Sequence, residues 1–311
     1  MINPAHFDLQ SLRVFLLVAQ SGGLTQAANK SHMTLSALSK RIADLERTVD
    51  CALFLRVRRG LELTPAGHEL VQHARMVLDK VNQMAGEMSD FAIGMRGHVK
   101  IWANTSAVIQ FLPGDLASFL ASQPMIRISL EERLSQDVVV ALLSGETDIG
   151  VFADNVPAYD VRKSVYRHDR LVVLVPAGHP LAGRSEVCFD ETLEYDFVGL
   201  NQGSSLLQRL TDAASALDKV VRLRIQVSSF DAICRMIESG LGIGVLPDGA
   251  VRPELLGAGL HAVYLSDAWA SRTLWVGVRD EAALLPEAAK LLEHLRSAGT
   301  AGEGGGRVGA N

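Results

Sequence analysis

Three groups of side chains have types and spacings that suggest chemistry. The first lies near the amino terminus: Thr34, Ser36, Ser39 and Lys40, followed by the pair Arg58 and Arg59. Lysine and arginine neutralise phosphates, while short hydroxyl side chains permit close approach and donate to base edges or phosphate oxygens. The second is a scatter of small polar residues, Thr105, Ser106, Ser135, Asn201, Gln202, Gly203, Ser204 and Ser229, with Phe230 beside the last. Such residues bind small molecules when a fold gathers them at the ends of strands. The third is Cys51, Cys188 and Cys234, too few and too scattered for a disulfide framework or a zinc ribbon. Reduced structural thiols in a cytoplasm are the expectation.

Catalytic constellations are missing from the sequence. It contains no G-x-S-x-G, P-loop or H-E-x-x-H. Gly240-Leu241-Gly242-Ile243-Gly244 precedes an apolar run instead of following one, so a dinucleotide fingerprint fails on context. The nine histidines never cluster at metal spacing. A non-enzymatic protein without metal or cofactor is expected.

The first group needs a helix to present it. Leu9, Leu12, Phe15, Leu16 and Ala19 recur at helical spacing over 7–20, and Ser21-Gly22-Gly23 stops the run. Thr25 can cap a second short helix, with a turn around Ser31-His32-Met33. Thr34 can cap a third, whose Leu38, Ile42 and Leu45 share one face. Ser36, Ser39, Lys40, Ala43 and Arg47 then project from the other, in a helix-turn-helix pattern. Leu53-Phe54-Leu55 and Leu61-Glu62-Leu63 flank a basic tip and predict a hairpin wing. Thr64-Pro65 starts a long helix in which Leu70, Ala74, Val77, Val81, Met84, Met88 and Phe91 repeat every 3.5 residues on average, a dimerisation seam.

From His98 the texture changes to alternating strands and helices, which predicts parallel sheets covered by helices in two lobes. Helices are expected over 109–120, 136–143, from Ser205 and from Asp231, and strands over 99–103, 126–130, 148–151, 171–175, 197–200, 222–227 and 243–246. The second polar group then falls at the carboxyl ends of strands, where helix N-termini meet ligands. The Gly-rich stretch 297–311 reads as a disordered tail.

Charge is distributed unevenly. The chain of 311 residues carries net charge -5, but residues 1–65 hold eight Lys and Arg against five Asp and Glu. The rest holds 22 against 30, so a basic head sits on an acidic body. A membrane-spanning helix needs about 20 apolar residues, and Val14–Ala19 is only six long. A signal peptide is not expected either, so the expected location is the cytoplasm.

These motifs resemble a known family. Leu9, Leu12 and Phe15, Gly23-Leu24-Thr25-Gln26-Ala27-Ala28, Ser36 to Ile42 with Leu45-Glu46, Leu53-Phe54 with Arg56, and Leu63-Thr64-Pro65-Ala66-Gly67 resemble the DNA-binding domain of LysR-type transcriptional regulators. Leu112-Pro113, Gly145 with Asp148-Ile149-Gly150, His179-Pro180-Leu181-Ala182 and Gly240 to Pro247 are similar to its effector-binding domain, which has the two-lobed fold of periplasmic binding proteins.

The resemblance implies a winged helix-turn-helix over 1–65, a linker helix over 66–95 that dimerises through Leu70, Val77, Val81, Met84 and Met88, and an effector domain of two α/β lobes over 96–296. Double-stranded promoter DNA, a small-molecule effector (a carboxylate among the candidates), and RNA polymerase for an activator are the implied partners, in a dimer of dimers. Thr34 to Ser36, Ser39 to Arg41, Arg58 and Arg59 would contact DNA. Leu35 stands where relatives often carry a base-reading Gln, and either meets a thymine methyl or leans into the core. Asp50 replaces a common Gly, and Ser31 a usual apolar residue. Rival readings are a cytoplasmic small-molecule-binding protein without a DNA role, an α/β enzyme, and a redox sensor using Cys188 and Cys234. The basic wing, the lack of a catalytic constellation, and the spacing and flanks of the cysteines count against them in turn.

Overall fold

A computed structural model describes residues 3–31, 33–57, 60–92, 97–257 and 259–302. The chain divides into two compact units, residues 1–94 and 95–311.

The first unit begins with α1 (Leu9–Ser21), α2 (Leu24–Lys30) and α3 (Leu35–Val49). The Asp8 carboxylate caps α1 by accepting from Ser11 N at 2.9 Å. Thr34 Oγ1 caps α3 by accepting from Ala37 N at 3.3 Å. Thr25 does not cap α2: that helix starts one residue earlier, behind Gly23, and Thr25 lies inside it. An antiparallel hairpin of β1 (Phe54–Val57) and β2 (Gly60–Leu63) follows, then α4 (Pro65–Ala92). Glu46 Oε1 accepts from Leu53 N at 2.7 Å and Phe54 N at 3.2 Å, which fastens the hairpin to α3. Arg58 and Arg59 at the hairpin tip, and His32 of the expected turn, lie outside the described residues.

The periodic seam of α4 divides in two. Ala74 is buried and Leu70 partly so, both against Leu12, Phe15 and Leu38 of the same chain, with Val71 and Leu78 beside them. Leu70 therefore packs in its own head rather than extending the seam, because the first turns of α4 close the core that three short helices leave open. Farther along, Val77, Met84 and Met88 are exposed, Met84 and Met88 each at 57%, and Val81 is half-buried.

The second unit contains β3 (Gly97–Ala103), α5 (Thr105–Gln110), α6 (Leu112–Ser122), β4 (Ile126–Glu132), α7 (Ser135–Ser144) and β5 (Ile149–Ala153). It continues with β6 (Arg162–Pro176), β7 (Glu186–Val187), α8 (Phe189–Thr192), β8 (Phe197–Leu200), α9 (Ser205–Ser215), β9 (Leu223–Val227) and α10 (Phe230–Glu238). Last come β10 (Gly244–Pro247), α11 (Pro253–Gly257), β11 (Leu260–Leu265), β12 (Ser271–Val278) and α12 (Pro286–Gly302). The single helix expected over 109–120 is two, α5 and α6, because Pro113 sits in the first turn of a new helix, where a missing N–H costs nothing.

The main sheet is mixed, not parallel. β3 pairs in parallel with β4 and β5, and β8 with β9. β12 runs antiparallel to both β5 and β6, and β10 and β11 run antiparallel to β6. The 15-residue β6 is the frame of the unit: Arg162–Arg170 pair with β12, and Leu171–Pro176 pair with β10 and β11. One strand thus belongs to two lobes, each with its own core. One core holds Ile101, Phe119, Leu274 and Leu291; the other holds Val173, Phe197, Phe230 and Ile243. The charged half of β6, rich in Arg and Lys, has no apolar run to mark it as a strand.

Residues 297–302 are helical, not a disordered tail. Gly299 is buried, and a Cβ there would stand 2.7 Å from the Tyr166 carbonyl oxygen, so this glycine serves close packing. Residues 303–311 of the expected tail lie outside the described residues.

Candidate DNA-contact face and interlobe cleft

The outer face of α3 carries Thr34, Leu35, Ser36 and Lys40 exposed and Ser39 half-buried, while Leu38, Ile42 and Leu45 hold the helix to the core. Leu35 is 47% exposed, on the outer face and not in the core. Arg41 differs from its neighbours. Its Nη1 donates to Asp8 Oδ1 at 3.1 Å and to Ser11 Oγ at 3.3 Å, tying α3 to α1. Asp50 ends α3 in the left-handed region at φ 52°, which explains why glycine suits that place and why an aspartate tolerates it. The Ser31 hydroxyl is buried without a hydrogen-bond partner among the described residues.

In the second unit, Thr105, Ser106, Ser135 and Ser204 line a small cavity of about 20 Å³ between the lobes. It adjoins a cleft of about 290 Å³ bordered by Thr105, Ser204, Asn201 and Ser228. Ser106, Ser135 and Ser204 are buried, and each is held by the protein. Ser106 Oγ accepts from Arg272 Nη2 at 3.2 Å. Ser135 Oγ accepts from Ala153 N and from Asn104 Nδ2, both at 3.2 Å. Ser204 Oγ caps α9 by accepting from Leu207 N at 3.1 Å.

Four expected residues lie elsewhere. Phe230 is 1% exposed in the core of its lobe, where an aromatic ring buries more apolar surface than a cleft wall offers. Ser229 caps α10 through Ala232 N at 3.2 Å, and its neighbour Ser228 takes the place on the cleft. Gln202 and Gly203 are exposed in the β8–α9 turn and are not among the residues lining either cavity.

Two ion pairs frame the cleft. Arg272 on β12 is paired with Asp169 on β6, its Nε donating to Oδ1 at 2.7 Å, and both side chains are almost wholly buried. Arg209 of α9 pairs with Asp154 after β5, and Asn155 Nδ2 donates to Ser205 O at 2.9 Å, so α9 of one lobe is fastened to the other. Burial pushes the Arg209 guanidinium down from its ordinary value, while Asp154 opposes the shift.

The model of the LysR substrate binding domain matches residues 92–300, and that of the bacterial regulatory helix-turn-helix protein, lysR family, matches residues 9–68. The chain belongs to the LysR family. It is a LysR-type transcriptional regulator with a DNA-binding head and an effector-binding domain. The HTH-type transcriptional regulator SsuR of Burkholderia cenocepacia is 31% identical over 311 residues, covering 95% of this chain and 98% of that protein. Full-length CbnR, solved with its target DNA, shares the fold at TM-score 0.78 and 19% identity, covering 94% of this chain and 100% of that one. The regulatory domain of Synechocystis CcmR, solved in complex with 2-PG, gives TM-score 0.60 at 22% identity over 65% of this chain and 97% of that one.

Sequence reasoning missed Asn104, Arg133, Ser205, Asp169 and Arg272 of this LysR regulator. Asn104 precedes Thr105 at the end of β3 and carried a capping signal that could have found it. Arg272 and Asp169 carried none, since only the β6–β12 register brings them together. All three cysteines are free; Cys188 is exposed, and Cys234 is buried, which pushes its thiol up from its ordinary value. No described helix is long and apolar enough to cross a membrane.

Proposed function

We propose that this regulator binds double-stranded promoter DNA through Thr34, Leu35, Ser36, Ser39 and Lys40 of α3 and through Arg58 and Arg59 of the wing. A small-molecule effector, a carboxylate in the simplest case, binds among Thr105, Ser106, Ser135, Asn201 and Ser204. By binding one lobe arrangement better than another it shifts the spacing of the heads. Copies associate through Val77, Val81, Met84 and Met88, as dimers and then dimers of dimers, in the cytoplasm. The protein catalyses no reaction, and where it activates, RNA polymerase is its further partner.

The observation that carries this reading is that three buried serines from both lobes line one cavity, in a protein whose other unit presents a polar helix face. Thermal-shift screening of small organic acids against the full chain tests it. A stabilising ligand should lose its effect in Ser106→Leu, and that variant should retain DNA binding. A ligand that stabilises Ser106→Leu equally would place the effector elsewhere.

A further inference from the structure

The hydrogen-bond bookkeeping of the cleft restricts what it can hold. Ser106 Oγ and Ser204 Oγ each already accept a protein N–H, from Arg272 and Leu207. Each keeps its hydroxyl hydrogen to give. Ser135 Oγ accepts two N–H groups and turns its own hydrogen to Ser205 Oγ at 3.4 Å, which leaves the Ser205 hydrogen to give as well. The inner cavity therefore offers three free hydroxyl hydrogens and no carboxylate, so a ligand group that accepts is matched there. At about 20 Å³ it admits little more than an oxygen atom or two. Its charged lining residue is Arg133, whose guanidinium lies over Trp102 at 4.9 Å and is held by Glu131 at 2.6 Å.

The outer cleft has the opposite character. Arg133 borders it too, but Glu132 and Asp137 border only this part, joined by Asn201 and Ser228. Thr105 Oγ1 donates to Glu132 Oε1 at 2.6 Å, which fixes that carboxylate at the rim. Charge thus changes along the cavity: hydroxyls and no carboxylate line the inner part, Arg133 borders both parts, and two carboxylates border only the outer one.

We propose that the effector is a small zwitterion, an amino acid with its carboxylate in the inner cavity and its ammonium toward Glu132 and Asp137. The proposal rests on the cleft being the effector site. A dicarboxylate of the same length would set its second charge against those two acids, and a plain monocarboxylate would leave them unmatched.

Isothermal titration of the full chain with four-carbon probes tests this: γ-aminobutyrate, L-2-aminobutyrate, butyrate and succinate. γ-Aminobutyrate should bind tightest, about tenfold or more ahead of butyrate, the ratio expected for one charge-assisted contact, with succinate weakest. The exposed pair Glu132→Gln and Asp137→Gln should bring γ-aminobutyrate down to the level of butyrate without disturbing the fold. Ser106→Ala, a milder change than Leu, should weaken every probe that binds. Succinate binding as well as γ-aminobutyrate, with both weakened by Ser106→Ala, would overturn the zwitterion and leave the cleft standing. Probes that bind Ser106→Ala undiminished would count against the cleft itself. No saturable binding of γ-aminobutyrate also overturns the proposal.

Discussion

The α3 face and the interlobe cleft are built by opposite means. On α3 the polar residues are neighbours in sequence, from Thr34 to Lys40, and one helix with one buried stripe positions them all. In the cleft, Ser106 is held by Arg272, 166 positions away, and Ser135 meets Ser205 across 70. A local site needs only its own helix to form, whereas a distributed one needs every strand of two lobes in register. Damage to the framework should therefore cost the cleft most.

The sharpest way to break the comparison is Arg272→Leu. It leaves Asp169 charged, buried and without its partner, a loss of about 3–5 kcal/mol. Chemical denaturation of the full chain should show this in the effector domain. The double variant with Asp169→Leu should recover most of it, because an apolar pair of similar size is often neutral. A loss under about 1 kcal/mol would mean that the pair is not what frames the cleft.

The linker helix comes next. Its early turns serve the head and its later turns carry exposed Met84 and Met88. Glutamates at Val81 and Met84 would bury unpaired charge at a seam between copies, at a cost of several kcal/mol each. Sedimentation should show dissociation, and operator binding should fall with it. An unchanged oligomer would assign association to another surface.

For the wing, Arg58→Ala with Arg59→Ala should weaken binding to every DNA sequence alike. The slope of log affinity against log salt should flatten by about two units, one per lost phosphate contact. Bulky residues at Ser36 or Ser39 should change sequence preference instead. Equal effects of both sets on all sequences would erase the distinction between positioning and reading.

How much was legible follows from the same contrast. The helix-turn-helix, the cap at Thr34, and the buried stripe of Leu38, Ile42 and Leu45 were readable because each rests on residues within a few turns of one another. Thr105, Ser106, Ser135 and Asn201 were readable as strand-end residues. Phe230 was misplaced, because a ring at a helix start looks the same whether it faces a ligand or a core. The antiparallel pairing of β6 with β12 had no local signal, since Arg162–Arg170 is a charged run whose alternation is set by a partner strand about a hundred residues later. With it went Arg272 and Asp169.

A smaller effect tests the head's packing. The Ser31 hydroxyl is buried without a partner among the described residues, so Ser31→Ala should stabilise the head by about 1 kcal/mol. Urea denaturation reads this directly, and a destabilised variant would mean that the hydroxyl is satisfied.

The smallest effect concerns Asp8, where α1 and α3 are tied. Its carboxyl is held below its ordinary value of 3.8, chiefly by the Ser11 hydroxyl, with the Ser11 N–H and Arg41 adding to the shift and partial burial opposing it. Ser11 Oγ donates to Asp8 Oδ2 at 2.5 Å, while Arg41 stands at 3.1 Å and is partly exposed. A carboxyl depressed in the folded state stabilises it above the unfolded value, and that contribution is lost as pH falls from 3.8 through the folded value. Folding of the head should therefore weaken across that acid window, and Asp8→Asn should remove this part of the pH dependence. The causes also rank the variants. Ser11→Ala should move the Asp8 titration, followed by carbonyl-carbon NMR, back toward its ordinary value further than Arg41→Ala does, because a short hydrogen bond outweighs a solvent-screened charge. The reverse order would make Arg41 the principal tie between the two helices, and the α3 face would then depend on a longer-range contact than its contiguous sequence suggests.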